Sequence, residues 1–269
     1  MRKTMALLSA VLSFSFFACG NQANTKAEKA ETDQEGKPSA VQSGTVIPAD
    51  TFGSGKTALY VTLVGHGSFM FEYAGRIIQV DPYSPVADYS KLPKADLILL
   101  THEHGDHLDQ KAIADVRKEN TGFITSQVCH DQLGYGEVMK NGDKTVWNGI
   151  SIEAVPAYNI VHKKPDGEAY HPKGRGNGYI LTFGERKVYV SADTENIPEM
   201  DALKGKIDIA FLPKNLPYTM TDEMFIDAAK KVSPKVLYPC HFSEFDKEKI
   251  GKALEGTGIE LRIRPMKNR

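Results

Sequence analysis

The chain has 269 residues, with 33 Lys and Arg against 34 Asp and Glu and a formal net charge of −1. That balance supplies no electrostatic pull toward nucleic acid or an anionic membrane surface, so a partner must be read from a site. The length beyond the first fifty residues suits one large domain with a single core.

In chain order, Arg2 and Lys3 precede an apolar run from Met5 to Ala18, and Cys19-Gly20 follow. This pattern reads as a secretory signal, since a membrane span needs roughly 20 apolar residues. The cysteine resembles the lipobox of bacterial lipoproteins, which implies lipidation at Cys19, a membrane anchor and an exported protein, periplasmic or at the cell surface. Residues 20–50 are rich in Lys, Glu, Gln, Ser, Ala and Gly and poor in large apolar side chains, so they read as a flexible tether. One catalytic domain is expected over 51–269. With Cys19 lipidated, Cys129 and Cys240 remain, and whether they bridge is not legible from the sequence.

Within the domain, β-branched and aromatic runs at Ala58–Val64, Phe69–Tyr73 and Arg76–Val80 predict a meander with a turn at Ala74-Gly75. Further strands are predicted at Asp96–Leu100, Gly149–Val155, Gly178–Phe183, Lys187–Ser191, Ile207–Leu212, Val236–Pro239 and Ile259–Ile263. Helical spacing falls at 109–118, 127–140, 221–232 and 246–255, with Thr221 placed to cap the third. Strands interleaved with helices favour a layered α/β architecture over an all-β sandwich.

The strongest chemical signal is Thr101-His102-Glu103-His104-Gly105-Asp106-His107, which follows a predicted strand. Three of the eight histidines and an aspartate fall within six residues, a density that a solvated loop does not need. In extended chain, His102 and His104 face the same way and can grip one ion; a turn at Gly105 lets Asp106 and His107 serve a second. Two ions need more ligands. Asp193, after the run Lys187–Ser191, could bridge them, and His241, after Val236–Pro239, could complete the ligand set of the second ion. A third ligand for the first ion should come from His162 or His171, both in the polar loop between the strands at 150 and 178. His171 is favoured because His162 precedes Lys163-Lys164-Pro165-Asp166-Gly167, a turn whose ordering would cost entropy.

These motifs, together with Gly65-His66-Gly67-Ser68, Val80-Asp81-Pro82, Pro156-Ala157-Tyr158-Asn159, His171-Pro172-Lys173-Gly174, Ser191-Ala192-Asp193-Thr194 and Pro239-Cys240-His241, resemble the metallo-β-lactamase superfamily. Within it they are similar to metal-dependent hydrolases related to L-ascorbate-6-phosphate lactonase and N-acyl-phosphatidylethanolamine-hydrolysing phospholipase D. The resemblance implies a four-layer αβ/βα sandwich. It also implies His102, His104 and His171 on one metal, Asp106, His107 and His241 on the other, Asp193 bridging, and His66 and Asp81 orienting ligands. Two positions depart from the family pattern: Ala192 stands where glycine is common, and Lys214-Asn215 where small residues are usual.

The implied chemistry is hydrolysis by a hydroxide made at two divalent ions, zinc first with manganese or iron tolerated, and with Asp106 as the catalytic carboxylate. A phosphodiester, lactone or ester is the expected bond. Lys163, Lys164, Lys173 and Arg175 would suit an anionic small-molecule substrate, although Asp166 and Glu168 among them also fit a solvated loop. The competing classes are a diiron oxidoreductase of the same fold and a lipoprotein that binds metal without catalysis.

Overall fold

The structure, a computed structural model, describes residues 47–267. The expected signal sequence, Cys19 and the tether up to residue 46 lie outside the described residues. Among the described residues no helix is long and apolar enough to cross a membrane.

Seven strands form the first sheet in chain order: β1 (Ala49–Phe52), β2 (Leu59–Gly65), β3 (Ser68–Tyr73), β4 (Arg76–Val80), β5 (Leu97–Leu100), β6 (Gly122–Thr125) and β7 (Glu137–Val138). β1 to β4 pair antiparallel, and β4 to β7 run parallel. The β3–β4 hairpin turns at Ala74 and Gly75, both with positive φ (50° and 72°), the pair of left-handed residues that a two-residue hairpin loop requires. The second sheet holds β8 (Lys144–Trp147), β9 (Ile150–Ala157), β10 (Gly176–Phe183), β11 (Arg186–Val190), β12 (Ile209–Pro213), β13 (Val236–Cys240) and β14 (Glu260–Leu261) in reverse spatial order. β8 to β11 are antiparallel and β11 to β14 parallel.

Among the described residues four α-helices complete the fold: α1 (Gln110–Val116), α2 (Gln127–Leu133), α3 (Asp222–Val232) and α4 (Lys247–Leu254). Asp109, Thr221 and Asp246 cap three of them by accepting from backbone N–H groups of the first turn. The period-two rule then sorts the strands into layers. Leu97 and Leu99 of β5 face the core between the sheets, while Ile98 and Leu100 face α1. Ile209 and Phe211 of β12 likewise face inward, and Ala210 and Leu212 meet α3 and α4. The inter-sheet core is closed by aromatic contacts, with Phe69 on Phe211 at 4.4 Å and Phe211 stacked on Tyr238 at 5.2 Å. Helix, sheet, sheet, helix is the expected αβ/βα sandwich.

Several expectations need correction. The tether does not extend to residue 50, because Ala49 and Asp50 already belong to β1, where Asp50 accepts from Arg264 Nε and Nη2 and from the Tyr238 hydroxyl. The helix expected over 127–140 stops at Leu133, since Gly134 adopts φ 78° as a left-handed cap and the chain then enters β7. β6 and β8 went unrecognised. Cys129 and Cys240 are free and buried, Cys129 in the layer under α1 and Cys240 in the inter-sheet core.

Candidate metal centre

The candidate residues gather at one edge of the sandwich, where the parallel strands of both sheets end. β5 leads into Thr101 to His107, β4 into Asp81, β11 into Asp193 and β13 into His241, and the β2–β3 turn adds His66 and Gly67. Ligand sites in α/β sheets form where strands end, because side chains from separate segments converge there. Convergence strains the backbone. Of seven described non-glycine residues with positive φ, four are His66, Asp81, Ala192 and His241. Ala192, at φ 57°, occupies a left-handed turn that explains why glycine would be at ease there.

Asp193 is the centre of the arrangement. Its Oδ2 lies 3.2 Å from His241 Nε2, 3.4 Å from His171 Nε2, 3.5 Å from His107 Nε2 and 3.9 Å from His102 Nε2. All five side chains are buried. The four Nε2 atoms have no hydrogen-bond partner. Buried polar atoms are normally satisfied, so four orphans aimed at one carboxylate mark a place built for cations. Donor atoms fall within 4.8 Å of one another in His102, His104 and His171, and again in His66, Asp106, His107 and His241. A close approach explains one glycine: a Cβ on Gly67 would sit 2.6 Å from His107 Cε1.

The other ring nitrogens are occupied by orienting partners. His107 Nδ1 donates to Asp81 Oδ2 at 2.9 Å. The Thr101 hydroxyl donates to the same Asp81 oxygen at 2.6 Å and therefore accepts from His102 Nδ1 at 2.9 Å. His171 Nδ1 donates to Asn159 Oδ1 at 2.6 Å. Whenever these rings are neutral, the bonds select the tautomer with a bare Nε2, the role of outer partners in metal sites. Asp81 also falls within ligand range of His102 and His107, but Thr101 N–H, Thr101 Oγ1 and His107 already fill its oxygens. It holds the His107 ring directly and the His102 ring through Thr101. His66 sits closer than that reading required: its Nε2 is 3.0 Å from Asp106 Oδ2, and its ring lies 3.7 Å from that of His241.

Electrostatically the cluster divides. Burial holds His102 well below the usual imidazole value and lowers His104, and it brings His171 down to about 4. Burial also opposes charge on His107 and His241, yet Asp193 with Asp81 lifts His107 well above its usual value, and Asp193 with Asp106 lifts His241 to about 9. Burial works against ionised Asp193 and Asp106, but facing histidines hold both far below the carboxylate range.

His162 is not part of the cluster. Its Nδ1 meets Glu195 Oε1 at 2.6 Å. His171 takes the place beside Asp193. Among the loop cations, Arg175 pairs with Glu103, Lys173 with Glu199 and Lys164 with Glu168, so their charge is largely compensated within the protein. Lys214 pairs with Asp222 and leaves the site, whereas Asn215 stands 3.4 Å from His241 Nδ1. The cluster opens into a cleft of about 520 Å³ that Tyr170, Asn215 and Tyr218 also line. Asn159 and Thr101 were not singled out as orienting groups, and Glu195 was not read at all. Asn159 and Thr101 each stood within a motif that the sequence marked, whereas nothing marked Glu195.

Residues 60–241 match the family described as Beta-lactamase superfamily domain. A metal-dependent hydrolase of Enterococcus faecalis is 32% identical over 197 residues, which is 68% of this chain and 87% of that protein. A solved structure from Parabacteroides distasonis, named provisionally as a metal-dependent hydrolase, is 48% identical with a TM-score of 0.77, covering 82% of this chain and 100% of that one. A metallo hydrolase of Ignicoccus hospitalis shares the fold at 24% identity, with a TM-score of 0.63 over 77% of this chain and 94% of that one.

Proposed function

We propose, from the premise that this chain belongs to the beta-lactamase superfamily and is one of its metal-dependent hydrolases, that it works with two divalent ions sharing the Asp193 carboxylate. The bond cleaved is a phosphodiester, lactone or ester in a small molecule that fits the cleft. The observation that carries this reading is the convergence of four buried, unpartnered Nε2 atoms on one oxygen of Asp193.

His102, His104 and His171 would hold one ion, and Asp106, His107 and His241 the other. Imidazole with carboxylate favours zinc, and manganese or iron tolerates the same donors. Bound divalent ions supply water of lowered pKa and polarise the oxygen of the bond under attack. The chain does the rest. Thr101, Asp81 and Asn159 keep the Nε2 lone pairs of His102, His107 and His171 aimed inward. Asp106, anchored by His66 and partly open to the cleft, accepts a hydrogen bond from the attacking water and orients it. Tyr170, Asn215 and Tyr218, which line the cleft beside the cluster, contact the substrate.

The test is a substrate panel run on protein stripped of metal and then reloaded with zinc or manganese. Turnover of at least one of the phosphodiesters, lactones or esters, dependent on reloading, is the expected result. Failure to take up metal, or turnover indifferent to its removal, contradicts the reading.

A further inference from the structure

Glu195 is a buried carboxylate that the chemistry above does not use. Its side chain is 0% exposed, two residues beyond Asp193. Five donors surround it. Oε2 accepts from the backbone N–H of Ile160 at 2.6 Å and of Val161 at 2.7 Å. Oε1 accepts from His162 N–H at 2.7 Å, His162 Nδ1 at 2.6 Å and Asn159 Nδ2 at 3.2 Å.

Asn159 carries the consequence into the centre. Its Nδ2 also donates to the Tyr218 carbonyl at 2.9 Å, while its Oδ1 accepts from both His171 N–H at 2.9 Å and His171 Nδ1 at 2.6 Å. Turned over, the amide would set its NH2 against two donors of His171, and its oxygen against the Glu195 carboxylate and the Tyr218 carbonyl. Only one orientation is viable. With it, His171 must carry its proton on Nδ1, and Nε2 keeps its lone pair 3.4 Å from Asp193 Oδ2.

We infer that Glu195 is a positioning residue that, through Asn159, sets the tautomer and direction of the His171 ring, and that simultaneously holds residues 160–162 at the edge of the site. Its effect on metal affinity rests on the proposed metal centre; its effect on the His171 tautomer does not. Glu195→Gln preserves shape but turns one acceptor into a donor. At the Oε2 side that donor opposes Ile160 and Val161 N–H, and at the Oε1 side it opposes His162 N–H and Asn159 Nδ2. Either the loop or the amide is released.

The test uses the whole protein, with ring-nitrogen NMR of His171 in the metal-free form and zinc affinity by chelator competition. The wild type should show the Nδ1–H tautomer. Glu195→Gln should show a mixture or the other tautomer, with zinc affinity lowered about ten- to a hundredfold, the usual loss when an outer partner is removed. His162→Ala, which spares Asn159, should keep the wild-type tautomer. A Glu195→Gln protein with lowered melting temperature but wild-type tautomer and affinity would make Glu195 merely structural and overturn the inference. If that variant does not fold, Asn159→Ala replaces it, and a wild-type tautomer there also overturns it. Should the wild type take up no zinc, the metal reading falls, and the tautomer measurement still decides the role of Glu195.

Discussion

His102, His104 and His171 form one half of the cluster, kept neutral by burial and oriented by the uncharged groups of Thr101 and Asn159. His107 and His241 form the other half with Asp106, and there Asp193 and Asp81 draw His107, and Asp193 and Asp106 draw His241, toward the protonated form. The two halves meet at one oxygen of Asp193. A buried cluster can thus be assembled without metal in two ways. One half stores bare lone pairs, and the other stores ion pairs that a cation must displace.

Breaking the junction should have the largest effect. Asp193→Ala removes the oxygen common to both halves and should lower kcat/KM roughly a thousandfold or more, with metal content falling below two per chain by elemental analysis. Near-normal metal content in an active variant would detach the halves from each other. The next effect is lopsided: Asp81→Asn weakens the acceptor that meets His107 directly and His102 only through the Thr101 hydroxyl. It should reduce the affinity of the second half by about ten- to a hundredfold and that of the first half by less, seen as a separated step in zinc competition titrations. Equal loss at both steps would refute the division.

Proton linkage sharpens the same contrast. His107 and His241 have raised values, so both are protonated at pH 7 and must release protons to bind metal. Affinity of the second half should therefore rise with pH through about 9, where half of His241 is neutral. His102, His104 and His171 have lowered values, His171 about 4, so the first half should bind with little pH dependence at neutral pH. Calorimetry in buffers of different ionisation enthalpy should find about two protons released per chain at pH 7. Release of none would show that the ion pairs are not present. The smallest effect is expected at Ala192→Gly, where relief of the left-handed backbone at φ 57°, less the greater chain entropy of glycine, should stabilise by about 1 kcal/mol in denaturant titrations. A loss of stability would mean that the alanine methyl is held by packing.

Much of the site was legible because the chain writes it locally. His102, His104, Asp106 and His107 are adjacent in sequence, and their spacing alone spoke for metal. Asp193 and His241 lie far from that motif and stood only as candidates at the ends of strand-like runs until the family resemblance gave each a place in the ligand set. What orients the donors was hidden, because Asn159 acts on His171 and Glu195 on Asn159 through contacts 12 and 36 residues apart. The layered fold followed from continuous apolar runs such as β5 and β12, interleaved with stretches of helical spacing. β6 and β8 were missed because they are short and half exposed, and residues 134–140 were read as helix because the two glycines that end it stand among helix-compatible neighbours.

The central claim is that Asp193 lies between two cation sites, and anomalous diffraction at the zinc edge from zinc-loaded crystals tests it most directly. Two peaks should flank the Asp193 carboxylate, one contacting His102, His104 and His171 and the other Asp106, His107 and His241, with His162 remote on Glu195. A single peak, a peak on Asp81 with His102 and His107, or none at all would contradict the account.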